Sequence, residues 1–429
     1  MAEELNLALK SRPNVEVAAD PTVPAQLMVD APSNDAVSAG TAVAVDVRDS
    51  PVGSYIPELD GLRAVAIAGV LLFHLHVPGF SLGWAGVPLF FVISGFLITR
   101  ILLGTREKPF YFRNFYVRRS LRIFPIYYLT LMAVFGLLAV TGPHSRVHEL
   151  LAGTSTRPLA LLPWYVSYLQ TIPQIQSHYQ VIPMLSHTWS LAIEEQFYWI
   201  WPFVVAFARP KYLPVALVLL FALGPISRAI VMQRTTNEGY LVGTLFDQLD
   251  CLTIGGLLAW MVASRWSRSR LERIGKVWLG VGAAALTYLI LKSGYTAFWT
   301  PPTFVWMPHN IFLFTAMAFL FGGLVALCVS GSRLTSWLAA RPLIQVGKVS
   351  YGIYLYHIFV FFVVSSVFAR IHRGITLAID PWRIALILCS IASAYIVALV
   401  SWKFIEAPAI ALKSRFTLRP GESAESPRH

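Results

Sequence analysis

Long apolar runs of about 17 to 25 residues, nearly free of charge, recur along this chain, and that is the length a helix needs to cross the hydrocarbon core of a bilayer. Ten such runs are marked in the sequence, at 62–80, 83–103, 122–141, 188–208, 212–231, 248–264, 276–292, 308–330, 349–370 and 382–404. In water, 429 residues would make two or three domains. Here 56% of residues are hydrophobic and 13% charged, where a soluble chain carries about 25% charged, so lipid is the solvent. The expected fold is an all-α polytopic membrane helix bundle, with a membrane domain over 53–410 between disordered tails at 1–52 and 411–429.

The net charge of +12 raises nucleic acid as a partner, and the placement of the cations argues against it. They lie between the apolar runs, in the loops at 104–121, 209–211, 265–275 and 331–348, while the alternate loops hold few. That asymmetry is the positive-inside signal of an inner-membrane protein and puts both termini in the cytoplasm. No apolar run in the first 52 residues is long enough to act as a signal core, so the first helix is expected to direct insertion. Cys251, Cys328 and Cys389 fall within apolar segments without metal-type spacing.

The stretch 142–187 is neither loop nor span. PLALLPWYVSYLQTIPQIQSHYQVIPML is free of acidic and basic side chains but is broken by Pro158, Pro163, Pro173 and Pro183, which excludes a straight helix. Trp164, Tyr165, Tyr168 and Tyr179 suit an interfacial or re-entrant segment on the outer side.

Ionisable groups inside apolar runs cost about 2.5 to 3.5 kcal/mol each on insertion scales, so they mark function or a specific partner. In LDGLRAVAIAGVLLFHLH, Arg63 and His74 are eleven residues apart, about three turns plus 20°, and so share one helix face. Their separation of about 16 Å places a cation at the rim and a titratable ring past mid-bilayer, which suits a long anionic cofactor. The alternative is a snorkelling Arg63 and a packing His74. Asp60 is read as a helix cap rather than a partner of Arg63.

In SHTWSLAIEEQFYWIWP, Glu194 and Glu195 open an apolar run near His187, and only one carboxylate can face the interior squarely. Helix-terminus charge is the competing account. Asp250 reads as a cap, Glu406 as a partner of Lys403, and His357 as too deep for either role. Arg113, Arg118, Arg119 and Arg122 crowd one helix entrance, where their forks suit either phosphates or topological anchoring. There is no P-loop, GxSxG elbow, zinc spacing or dinucleotide fingerprint.

From about 55 to 408 the chain resembles membrane acyltransferase family 3, which includes O-antigen, exopolysaccharide, peptidoglycan and macrolide O-acylating enzymes. The resemblance rests on LDGLRAVAIAGVLLFH, GVPLFFVISGFLIT, RRSLRIFP, WSLAIEEQFY, SYGIYLYH and FIEAP in that order. It implies that Arg63 and His74 are essential, that Arg118, Arg119 and Arg122 contact acyl-CoA together with Arg63, and that Glu194 or Glu195 belongs to the active centre. The appended hydrolase-like domain of some members is expected to be absent.

The expected activity is transfer of an acetyl or other short acyl group from acyl-CoA, without a metal, to a hydroxyl of a carbohydrate or lipid-linked glycan. His74 would act as general base with Glu194 or Glu195 orienting it, and Asp250, His357, Tyr351 and His187 would contact the acceptor. An acyl-enzyme on Ser350 or His74 stays open. The competing class is a proton-coupled secondary transporter of a small molecule. For topology, cysteines introduced singly into 142–187 should react with an impermeant reagent only from outside, and those after residue 411 only from the cytoplasm. The opposite labelling would invert the orientation.

Overall fold

The computed structural model describes residues 55–153, 155–176, 182–234, 243–293, 311–372 and 380–416, and every regular element among them is helical. Ten long helices order the bundle: α1 Pro57–His74, α2 Gly86–Thr105, α3 Tyr111–Val140, α4 Trp189–Phe207 and α5 Leu213–Arg234, followed by α6 Leu249–Ala263, α7 Arg268–Ser293, α8 Leu313–Ser330, α9 Ser350–Ile371 and α10 Pro381–Ser401. The expected tail at 1–52 and residues 417–429 lie outside the described residues.

Each expected run overlaps one of these helices, yet among the described residues eight helical stretches are long and apolar enough to cross a membrane by length and composition. The two that fall short are α1 and α4. Glu58, Asp60 and Arg63 crowd the start of α1, and Glu194, Glu195 and Gln196 interrupt α4. The helices bearing the candidate groups are thus the ones whose composition departs from a plain span. They survive because protein rather than lipid surrounds much of them: Ile67, Val70, Ala192 and Ile193 are fully buried.

Between α3 and α4 the proline-broken stretch forms short turns, Arg146–Ala152, Pro158–Leu161, Leu162–Val166, Thr171–Gln176 and Pro183–Thr188. Prolines begin three of them at the first or second position, where the missing N–H costs nothing. The segment is pinned through its backbone. Tyr127 and Tyr128 of α3 donate to the carbonyls of Tyr165 (2.8 Å) and Val166 (3.0 Å), and Gln196 of α4 donates to Tyr168 O (2.8 Å).

Small residues let the helices approach to backbone contact, as expected where lipid supplies no hydrophobic drive for helix association. A Cβ on Gly95 of α2 would stand 1.9 Å from Leu252 O of α6, and one on Gly255 of α6 would stand 2.2 Å from Val92 O. At the basic end, a Cβ on Gly347 would lie 1.9 Å from Asp60 O, so the turn Arg341–Lys348 rests directly on the start of α1. Lys348 and Arg63 line the same cavity at that end.

Gly95→Ala should therefore lower the unfolding temperature in detergent, with an overpacking cost of about 1–3 kcal/mol or more. Gly136→Ala in α3, where a new methyl meets nothing within 4 Å, is the control and should be neutral or mildly stabilising. Equal melting of the two variants would show that the α2–α6 crossing is looser than described.

Candidate functional site

Two cavities meet at Arg63, Leu97 and Arg122, which line both. The wider, about 540 Å³, opens at the basic end between α1, α2 and the entrance of α3. Arg63, Arg100, Lys108, Arg118, Arg122 and Lys348 line it with Tyr55 and Trp402, and Asp60 is its one carboxylate. The narrower, about 100 Å³, runs inward between α1, α2, α3, α4 and α9 and is lined by Arg63, Arg119, Arg122 and Glu194 together with Ser94, Ser190, Tyr198, Ser350, Tyr351 and Tyr354. The first volume lies within the range of about 300–1,000 Å³ typical of ligand pockets, and the second admits only a slender chain.

Asp60 does not cap α1. Its carboxylate accepts from Arg63 (3.0 Å) and from Tyr55 Oη (2.7 Å), because it sits inside the first turn on the cavity side, while the N-cap position is Ile56. The pair fixes the rim of the wide cavity. Arg118 faces only that cavity and Arg119 only the narrow one, so the entrance of α3 divides its guanidinium groups between the two.

The adjacent glutamates separate as their 100° offset requires. Glu194 lines the narrow chamber and accepts from Tyr198 Oη one turn on (3.1 Å). Tyr198 also bonds Ser94, and the Arg119 guanidinium lies 4.8 Å from the centre of its ring. Glu195 lines neither cavity; it is 4% exposed, and its Oε1 has no hydrogen-bond partner among the described residues.

His74 lines neither of these cavities, and its ring partner is His357, with Nδ1 of His74 3.3 Å from Nε2 of His357, rather than Glu194 or Glu195. His187 completes a cluster, its ring centre 5.0 Å from that of His357. Tyr354 joins cluster to chamber: it lines the narrow cavity, donates to His187 O (2.7 Å), bonds Ser190 Oγ (2.6 Å) and packs on both His187 and His357. Arg383 of α10 donates to Leu75 O and holds the end of α1, where a cation also suits the helix dipole. Among the described residues no group of three His, Cys, Asp or Glu side chains is placed to hold a metal ion.

Of the expected acceptor contacts, Tyr351 lines the chamber, and its hydroxyl donates to Ile123 O (2.9 Å). His357 and His187 stand behind Tyr354. Asp250 lines neither cavity: it is fully buried, pairs with Arg228 of α5 (2.6 Å) and accepts from the half-buried Thr315 of α8 (2.7 Å). Arg228 also donates to Ile311 O (2.7 Å) and Asp247 O, which satisfies the guanidinium and ties α5, α6 and α8 together. Glu406 accepts from Ser401 (3.3 Å) rather than pairing with Lys403, whose ammonium lies over the Phe404 ring.

The sequence reading missed Tyr198, Tyr354 and Arg228. Tyr198 follows Glu194 by one helical turn and Tyr354 precedes His357 by three residues, so spacing alone was a usable signal for both. Arg228 interrupts the apolar run FALGPISRAIV and met the same test that singled out His357.

A family model described as an acyltransferase domain matches residues 56–402. An O-acetyltransferase OatA of Staphylococcus aureus is 29% identical over 368 residues, covering 82% of this chain and 57% of the relative. A peptidoglycan O-acetyltransferase OatA of Listeria monocytogenes is 30% identical over 372 residues, with 82% and 56% covered. The chain thus spans little more than half the length of these curated relatives. No solved structure matches.

The Arg228–Asp250 pair gives a stability test. Arg228→Met leaves a buried carboxylate unpaired and should cost about 3–5 kcal/mol, read as a lower unfolding temperature in detergent. Adding Asp250→Leu should regain part of the loss, since removing both charges removes the desolvation penalty as well. An unchanged melting temperature in Arg228→Met would contradict a structural role for Asp250.

Proposed function

The chain belongs to the acyltransferase family whose model covers most of its length, and from that premise we propose that it moves an acetyl or other short acyl group from acyl-CoA to a hydroxyl of a carbohydrate or lipid-linked glycan at a bacterial inner membrane. The observation that carries this reading is the joined pair of cavities. Lys108, Arg118, Arg122 and Lys348, beside the Arg63–Asp60 pair, give the wide cavity a basic lining that suits a polyanion, and the aromatic faces of Tyr55 and Trp402 offer a surface for a base. A nucleotide diphosphate with a flexible arm fits that lining. The narrow chamber beyond Arg63 and Arg122 would take the pantetheine arm.

With the basic end in the cytoplasm, the donor enters from inside and the thioester reaches the level of Tyr354. The half-buried His74, at the far end of α1, receives the acceptor from the outer side. Its ring takes the hydroxyl proton as the oxygen attacks the thioester carbonyl, and the thiolate leaves along the donor channel. Glu194, held by Tyr198 and surrounded by Arg63, Arg119 and Arg122, fixes the arginines at the chamber wall and is not the partner of the imidazole. The names of the relatives support a glycan acceptor, and peptidoglycan is the first to try.

Purified protein given radiolabelled acetyl-CoA and a panel of lipid-linked and polymeric glycans should transfer label to a glycan hydroxyl. His74→Gln should bind acetyl-CoA normally and lose about 10² to 10⁴ in turnover, since an amide accepts no proton at neutral pH. Label that stays on CoA while a solute crosses the membrane would identify a transporter instead, and near-normal turnover in His74→Gln would remove the general base from this ring.

A further inference from the structure

We infer that His357 is a positioning residue for His74: it fixes the tautomer in which Nε2 of His74 is the free base, and it shares the charge that the ring gains during transfer. The inference rests on the proposed role of His74 as general base. Its own evidence is the set of hydrogen bonds made by the three histidines, each of which faces a backbone carbonyl.

A carbonyl oxygen only accepts, so a ring nitrogen within hydrogen-bond distance of one must carry the proton. His357 Nδ1 is 2.6 Å from Tyr354 O, which makes it the N–H and leaves Nε2 as a lone pair. That lone pair meets His74 Nδ1 at 3.3 Å, and His74 Nδ1 is also 3.0 Å from Val70 O. Both neighbours of His74 Nδ1 are therefore acceptors. Its hydrogen is shared between them, and the proton of neutral His74 cannot sit on Nε2 without leaving three acceptors facing one another. The opposite assignment, with His357 Nε2 donating, sets ring lone pairs against Tyr354 O and Val70 O together, so both contacts become repulsive.

The ring that enforces this assignment is itself immobilised. His357 is fully buried, packed edge-on against Phe361 and His187, and held through Tyr354 to the backbone of His187. His187 follows the same rule, since its Nε2 donates to Leu355 O (3.1 Å). The charged and titratable groups around the pair are His187 from the turn before α4, Tyr354 from α9, His76 beyond the end of α1 and Arg383 from α10. None of these is a carboxylate. The acceptor that other catalytic histidines find in an anion is here a neutral imidazole.

In the transfer step the acceptor O–H proton moves to His74 Nε2 as the oxygen bonds the carbonyl carbon and the π pair moves to the carbonyl oxygen. Collapse of that intermediate breaks the carbon–sulfur bond, and the thiolate takes the proton back from Nε2. Throughout, the Nδ1 hydrogen stays on His74, and its bond to His357 Nε2 strengthens while the ring is cationic.

Three variants test this. His357→Gln can place Oε1 near the position of Nε2 and still accept from His74, so turnover should stay within several-fold of wild type. His357→Leu fills the space without an acceptor, and His357→Asn keeps polarity at Tyr354 but falls short of His74. Both should lose roughly 10²-fold in kcat, at the lower end of what a positioned base is worth, with KM for acetyl-CoA unchanged. Nitrogen-15 spectra of histidine-labelled protein in bilayers should show His74 protonated at Nδ1 in wild type and in His357→Gln, and a tautomer mixture in His357→Asn.

Wild-type kcat in His357→Asn, or His74 protonated at Nε2 in wild type, would overturn the inference. If His357→Leu does not fold, the Gln and Asn pair decides alone. Failure of the base reading has a different signature, near-normal turnover in His74→Gln, which leaves the nitrogen-15 assignment untouched.

Discussion

A polar group taken out of water needs a partner, and in a bundle this apolar the partner must come from another helix or from the backbone. That requirement places most of the ionisable side chains described here. Arg228 and Asp250 meet it as a pair with every remaining guanidinium proton directed at an oxygen, and the result is a rigid joint among α5, α6 and α8. The histidines meet it with carbonyls. At the basic end Arg63 meets it with Asp60, while Arg118, Arg122 and Lys348 line a cavity. One constraint thus yields a structural lock, an ordered histidine cluster and a cavity with a basic lining.

Much of this was legible in the order of residues. Apolar run lengths overlap the ten long helices among the described residues, eight of them apolar enough to span, and the prolines at 158, 163, 173 and 183 foretold a broken stretch whose described residues form short turns. Arg63 was marked as a cation at the rim of an otherwise apolar helix, and the 100° offset between Glu194 and Glu195 corresponds to their separation, Glu194 on the narrow cavity and Glu195 buried beside it. The composition of α1 and α4, too polar for ordinary spans, was itself the signature of helices wrapped by protein.

What stayed hidden was pairing across the bundle. His74 and His357 are 283 residues apart, and no periodicity within either helix tells that their rings touch. Arg63 and His74 share a face, yet that face passes from the cavity wall to a histidine cluster behind Tyr354, so a common side did not put both in one cavity. The partner of Asp250 was hidden for the same reason, since it lies on α5, 22 residues earlier, in a run read simply as a membrane span.

The bond from Arg383 to Leu75 O joins the last long helix to the first, across 308 residues of sequence. During synthesis at roughly 5–20 residues per second, α1 waits about 15 to 60 s for the side chain that secures its end. Through that interval the turn bearing His74 is held only by its neighbours already made, and the nascent bundle is a folded frame without a finished centre. The first helix therefore gains its last contact only once the final long helix has been made.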